Sequence, residues 1–379
     1  MTTSRGETSF TREPAGVGRS DKPALITGGA GFIGTNVAER LLGTGKPVIV
    51  LDNLSRSGVK HNLQHLCDTF GDLLQVEIGD VRDAGTVQKA AAQCDSIYHL
   101  AAQVAVTTSL VQPVEDLEVN LLGTLNVLEA ARKRRSPPPI LFASTNKVYG
   151  DLGDVELTQV GNRHVPRDRD RRAHGINESQ PLEFHSPYGC SKGAADQYVL
   201  DYARMYGLPN VVFRMSCIYG QHQFGTEDQG WVAHFARQIL GEGRLSIYGD
   251  GMQVRDILYV DDLVAAMLLA MERADVLAGR AFNIGGGPDH AVSLLDTVGY
   301  LSQLSGLEPR IRYGPPRKGD QPYYVSDTRS FSEATGWMPQ VPVEQGISRL
   351  CRWIEENVQP DVPEHPRHED RVLGTLQKE

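Results

Sequence analysis

The chain has 379 residues, a formal net charge of −9, 40% hydrophobic and 22% charged residues, which suits a globular protein of two ordinary domains or one large domain with an added lobe. The acidic balance, with no basic stripe, argues against nucleic acid as a partner; no apolar run approaches membrane-spanning length, and the N-terminus lacks the apolar core of a secretion signal. The five cysteines (Cys67, Cys94, Cys190, Cys217 and Cys351) are scattered with no Cys-x-x-Cys, so a reduced cytoplasmic protein is expected rather than a disulfide scaffold, and no metal centre is expected.

Residues 1–20 are polar and Gly-rich and are expected to be disordered. Ala24–Thr27 is a short apolar run, read as a buried strand. Gly28-Gly29-Ala30-Gly31-Phe32-Ile33-Gly34 follows, then a helical pattern through Val37, Leu41 and Leu42 that stops at Gly43 and Gly45. Val48–Leu51 is a second buried strand, with Asp52 just past its end. A strand, a Gly-rich turn, a helix and a strand tipped by an acid, within about thirty residues, form the dinucleotide-binding context. Gly28 permits the tight turn, Gly31 lets backbone amides approach a pyrophosphate at a helix N-terminus, and Gly34 allows close helix–strand packing. Asp52 can accept hydrogen bonds from the adenosine ribose.

The alternation continues. Leu74–Glu77 leads to Gly79-Asp80-Val81, and Ser96–Leu100 leads to Ala101-Ala102-Gln103, where small residues suit close passage of a cofactor. Val114–Arg135 is predicted as one long helix carrying Asn120, and Ile140–Thr145 as a strand ending in the hydroxyls of Ser144 and Thr145. Ligands bind beyond the carboxyl ends of strands in open α/β sheets, which favours a functional reading of those hydroxyls. From Asp151 to Asn177 the pattern fails. Arg163, Arg167, Arg169, Arg171 and Arg172 are mixed there with acids, and the segment is expected to be mostly a solvated, mobile insertion, with a cationic lid as the sharper alternative.

Ser186-Pro187 opens a helix running Tyr188–Tyr206. Residues four apart share a helix face, so Tyr188 and Lys192 project together. A phenol titrates near ~10, and a neighbouring ammonium lowers that value, which makes the pair a candidate acid/base for a sugar hydroxyl. Val211–Arg214 is a further strand, after which irregular spacing suggests a second lobe. Gln229–Leu240 is expected to be helical, Tyr248–Gly251 a turn, Val254–Val260 a strand, and Asp261-Asp262 the cap of a helix through Met271. Ala281–Ile284 is a strand whose trailing glycines lack a following Rossmann helix, so no second nucleotide site is expected. Residues 359–379 are expected to be a disordered tail.

The glycine turn, Asp52-Asn53-Leu54, Asp80-Val81, Asn120, Thr145 with Val148-Tyr149-Gly150, and Tyr188-x-x-x-Lys192 together resemble the extended short-chain dehydrogenase/reductases that act on nucleotide sugars, from about Pro23 to Glu356. Ser144–Gly150, Met215–Gly220 and Gln223–Trp231 look like those of the CDP-tyvelose (CDP-paratose) 2-epimerases within that family. The resemblance implies an α/β fold: a Rossmann-like, doubly wound parallel sheet over residues 21–213, with the insertion 151–177, and a smaller C-terminal α/β substrate lobe over 214–358, of which 256–274 packs back on the sheet. It implies NAD as cofactor, a nucleotide-diphosphate sugar as substrate, and a homodimer or higher homo-oligomer, the dimer formed through the helices starting near Val114 and Tyr188. Thr145, Tyr188 and Lys192 would be catalytic. Gly28, Gly31, Phe32, Ile33, Gly34, Asp52, Asn53, Ser55, Arg56, Asp80, Val81, Leu100, Ala101, Ala102, Gln103 and Asn120 would, with Tyr188 and Lys192, hold NAD. Arg56 is the counter-signal, because it could pair with the 2′-phosphate of NADP. Asn146, Ser216, Cys217, Gln229, Arg255, Arg317 and Asp320 would meet substrate, the two arginines gripping the diphosphate. Two features depart from relatives. Cys217 stands where many carry Asn, and Asn146-Lys147 follows Thr145 where the 4,6-dehydratases carry Asp-Glu.

Overall fold

The computed structural model describes residues 21–358 except 242 and 318, so the expectations for both chain ends lie outside the described residues. Seven parallel strands form one sheet in the order Arg280–Ile284, Asn210–Met215, Ile140–Thr145, Ser96–His99, Ala24–Thr27, Val48–Asp52, Leu74–Ile78. The continuous apolar runs follow from burial on both faces. Successive side chains point to opposite faces. Ala24, Ile26, Val48 and Val50 thus enter one core, while Leu25, Ile49 and Leu51 enter the other. Each such Val, Leu or Ile side chain, fully buried, contributes about 1.5–3 kcal/mol. The order of connection reverses between Ala24–Thr27 and Ser96–His99. A crevice therefore opens beyond the carboxyl ends of those two strands.

Several boundaries differ from expectation. Asp52 is the last residue of its strand, paired with Ile78, and not a residue beyond it. The long helix is Pro113–Leu117, a π-turn at Glu118–Leu122, then Gly123–Arg132. Asp261 and Asp262 do not cap the helix Val260–Glu272, whose N-cap is Tyr259. Asp262 instead accepts from the amides of Gln340 and Val341 at 3.0 and 2.9 Å. The C-terminal lobe returns to the sheet more than expected: besides the helix Val260–Glu272, which packs on the helix Phe32–Gly43, the strand Arg280–Ile284 completes the sheet beside Asn210–Met215.

The lobe is built on Val254–Tyr259, which pairs with Cys217–Tyr219, Ala291–Ser293 and Tyr323–Tyr324. A parallel pair, Arg244–Tyr248 and Arg310–Gly314, lies beside it.

The insertion is folded, which corrects the expectation of a patternless loop. Leu157–Val160 and Arg163–Pro166 form an antiparallel hairpin. Asp168 caps the short helix Arg169–His174 by accepting from the Arg171 amide at 2.8 Å. Leu152, Val155 and Ile176 are buried against Tyr149, Tyr323, Tyr324 and Val325. The segment has no period because its few apolar residues dock singly on another part of the chain. Three of its five arginines are held by protein groups: Arg163 pairs with Asp296 at 2.6 Å, Arg171 with Asp154 at 2.7 Å, and Arg172 donates to the Pro166 carbonyl.

Candidate active site

The Gly-rich turn leaves the first strand at the crevice. Gly28 has φ +69°, and a Cβ there would stand 2.8 Å from the Ala101 amide nitrogen. A Cβ on Gly34 would lie 2.3 Å from the Gly28 carbonyl oxygen and 2.7 Å from Gly29 Cα. Gly28 thus takes the left-handed turn, and both glycines allow close backbone approach. Gly31 is the N-cap of the helix Phe32–Gly43 and offers no side-chain acceptor, so the amides of Phe32, Ile33 and Gly34 stay available at the positive end of the helix. This cradle fits a dinucleotide pyrophosphate.

Asp52 accepts from the amides of Ala30 at 3.1 Å and Leu54 at 2.8 Å. Burial raises its pKa against those two bonds. It therefore braces the glycine turn and retains acceptor capacity for a ribose. Asn53 donates to Asp80 at 3.0 Å and accepts from the Ser55 amide at 3.1 Å. Asp80 is also gripped by Arg82, whose hydrogen bonds chiefly hold its carboxyl down to about 2. Val81 packs on Gly123.

The Leu100 amide donates to the Thr27 carbonyl and that of Ala101 to the Thr27 hydroxyl, which keeps Leu100–Gln103 against the glycine turn. Asn120, in the π-turn, accepts from the Gln103 amide at 2.9 Å and donates to Asp116 and Ser191, both at 3.1 Å. Its amide is committed to protein groups, so Asn120 positions the loop and does not reach into the crevice.

Thr145 ends its strand, and Tyr188 stands in the first turns of the 21-residue helix Ser186–Tyr206. The Thr145 hydroxyl donates to Asn146 Oδ1 at 3.4 Å, and the Tyr188 amide donates to Ser109 Oγ at 3.2 Å. Burial pushes the phenol up to about 12; the Thr145 hydroxyl and the Arg56 guanidinium oppose it, while Asp116 adds to it. The Lys192 ammonium, one turn along the same helix, donates to the Ala143 carbonyl at 2.6 Å and lies 4.1 Å from the Phe142 ring centroid. Burial lowers Lys192 to about 7, against Asp196 and Asp116. Arg56 donates across the crevice to Gln229 Oε1 at 2.7 Å. It is thus directed at the substrate lobe, away from the role of a 2′-phosphate partner.

A cleft of about 380 Å³ lies between sheet and lobe, and Thr145, Asn146, Tyr188, Ser216, Cys217, Gln229, Arg255, Arg317 and Asp320 all line it with Phe32 and Ile33. Both arginines already hold carboxylates. Arg255 meets Asp320 at 2.6 Å. Arg317 meets Glu227 at 2.8 Å and lies 4.0 Å from the Tyr248 ring centroid. Ser216 donates to Asp256, and Cys217 accepts from the Trp231 indole at 3.3 Å. Lys147 is the residue sequence reasoning underrated. It also lines the cleft, donates to the Gly319 carbonyl at 3.0 Å, and is lowered to about 8, first by burial and then by Arg255. The signal available was its place two residues after the strand-end threonine.

Comparison with known proteins matches this geometry. The model of the NAD dependent epimerase/dehydratase family matches residues 24–285. The chain is 42% identical over 336 residues to the CDP-paratose 2-epimerase of Salmonella typhi, covering 87% of this chain and 98% of that protein. Two solved structures are similar: the UDP-glucose 4-epimerase of Thermotoga maritima with UDP-glucose (TM-score 0.76, 32% identity, 89% of this chain and 100% of that one) and that of Thermus thermophilus in complex with NAD (TM-score 0.74, 32%, 89% and 100%). With a family model spanning most of the described residues and a relative matched along nearly its whole length, the chain belongs to the NAD dependent epimerase/dehydratase family.

Proposed function

We propose that this enzyme inverts C2 of a CDP-hexose of the CDP-paratose/CDP-tyvelose type by transient oxidation to a 2-keto sugar. The observation that carries this reading is the 42% identity to a CDP-paratose 2-epimerase along 98% of that relative. NAD, when bound, supplies the acceptor and the source of the hydride at the inverted carbon, so the reaction is an isomerisation without net redox change. The glycine cradle and the amides of Phe32, Ile33 and Gly34 hold the pyrophosphate, and Asp52 and Asp80 face the adenosine half. Tyr188 removes the proton from the sugar hydroxyl, and Thr145 donates a hydrogen bond to the same oxygen. Arg56 supplies the cationic field that favours the phenolate. Lys192 orients the nicotinamide ribose. Arg255 and Arg317 exchange their carboxylates for the substrate diphosphate, which accepts more donors and carries more charge.

A cytoplasmic homodimer is part of the proposal. No helix of the described residues is long and apolar enough to cross a membrane. Val114, Leu117 and Leu122 on one helix run, and Tyr198, Met205 and Tyr206 on the helix Ser186–Tyr206, leave large apolar side chains exposed, as a helix-to-helix interface requires.

The second reading is a UDP-sugar 4-epimerase, favoured by the likeness to two UDP-glucose 4-epimerase structures. Label at the inverted carbon separates the two. CDP-hexose deuterated at C2 is expected to give inverted product still deuterated at C2, and unlabelled sugar in D₂O to gain no deuterium there. Loss of the label to solvent sinks the hydride mechanism. Inversion at C4 of a UDP-hexose, with C2 untouched, moves the protein to the second reading.

A further inference from the structure

Outside the active site, three side chains with metal-binding atoms converge. Glu39 stands on the helix Phe32–Gly43, His65 on the helix Val59–Phe70, and His222 on the loop after Cys217–Tyr219. Glu39 Oε1 lies 2.6 Å from His65 Nε2, and Glu39 Oε2 lies 3.3 Å from His222 Nε2. All three donor atoms fit within 4.8 Å of one another, and the imidazole centroids are 5.1 Å apart. A tetrahedral ion bound at ~2.0–2.1 Å needs donors roughly 3.3–3.5 Å apart, so binding opens the 2.6 Å Glu39–His65 contact and draws in donors that now lie within 4.8 Å of one another.

The ligands are held in place. The Asn62 amide donates to the His222 carbonyl at 3.1 Å, the Asn36 amide to the Gln221 carbonyl at 3.1 Å, and Trp353 packs against the His222 ring at 5.6 Å. His222 is only 8% exposed, yet its Nδ1 has no hydrogen-bond partner. The nitrogen facing Glu39 is Nε2, so Nδ1 on the other side of the ring is left for an ordered water.

We infer that Glu39, His65 and His222 form a site for one divalent transition-metal ion, zinc foremost. Two imidazoles and a carboxylate are the donors zinc favours, whereas magnesium and calcium take oxygen ligands. The three side chains leave a fourth position for water. None of them lines the cleft, so the ion has a structural task. The loop carrying His222 continues to Gln223 and Gln229, which do line the cleft. The ion thus fastens that wall to the helix that begins at the glycine turn.

The test uses the full chain with its bound cofactor, stripped by a chelator and desalted, then titrated with zinc chloride against a chromophoric chelator. One equivalent is expected to bind in the wild type and raise the melting temperature. His65→Gln, at a half-exposed position that tolerates change, and His222→Gln are each expected to weaken that binding by more than the about 10–100-fold cost of losing an outer-shell partner and to abolish the melting shift. Cobalt chloride in place of zinc is expected to give ligand-field bands without a thiolate charge-transfer band. Equal zinc affinity in the wild type and His65→Gln, absence of wild-type binding, or a thiolate band pointing to Cys67 overturns the inference.

Discussion

Asp196→Asn tests how the catalytic helix is anchored. Asp196 lies one turn beyond Lys192, and its carboxylate is fully buried. It accepts from Arg214 Nε at 3.0 Å and Nη2 at 2.9 Å, and from Ser144 Oγ at 2.9 Å. Arg214 is 6% exposed and has one further partner, Tyr149 Oη at 3.2 Å. The substitution keeps volume but removes the charge and turns one acceptor into a donor facing a guanidinium. Two charge-assisted hydrogen bonds contribute about 1.5–3 kcal/mol each, which agrees with the about 3–5 kcal/mol lost when one partner of a buried pair is removed. Urea unfolding followed by far-UV circular dichroism is therefore expected to show a loss of about 3–5 kcal/mol. Asp196→Asn combined with Arg214→Met is expected to recover part of it, because the stranded guanidinium is gone. A loss below about 1 kcal/mol, the range of an exposed pair, refutes the argument.

Tyr188→Phe is expected to keep the fold and bound NAD and to lower kcat by about 10²–10⁴-fold; near-normal kcat shows that another group moves the proton. Lys192→Met probes burial of the ammonium. Below its folded value of about 7 the ammonium is charged in folded and unfolded chains alike, and the burial cost is fully present. From there to about 10.5 the unfolded chain keeps a proton that the folded chain has released, so the cost fades as pH rises. The stability gained by Lys192→Met over the wild type is thus expected to be largest near pH 6 and to narrow toward pH 10, by on the order of a few kcal/mol, in urea titrations; a pH-independent difference refutes it. Gly34→Ala forces a methyl onto the Gly28 carbonyl, with an expected loss of about 1–3 kcal/mol and of copurified NAD, read from nucleotide absorbance; unchanged NAD stoichiometry counts against the cradle. No 4-keto-6-deoxy product is expected from CDP- or dTDP-glucose, because Asn146-Lys147 supplies no carboxyl pair beside C5–C6; its absorbance in alkali at turnover rates would show otherwise.

The Rossmann half and its cofactor turn were legible in the residues themselves. Ala24–Thr27, Gly28–Gly34 and Val48–Asp52 are local: strand, turn and helix each follow from short-range period and from the lack of a Cβ. Tyr188 and Lys192 were legible as a pair for the same reason, since helical spacing alone sets them on one face. Three things required the tertiary structure. The insertion's fold depends on Leu152, Val155 and Ile176 meeting Tyr323 and Tyr324, residues far along the chain. The hydrogen bond of Lys192 onto the Ala143 carbonyl is set by the strand that the helix crosses. The meeting of Arg56 with Gln229, and of Glu39 with His65 and His222, joins the cofactor half to the substrate lobe. Local period carries no information about such pairs, because their partners are brought together only when the two lobes close on each other.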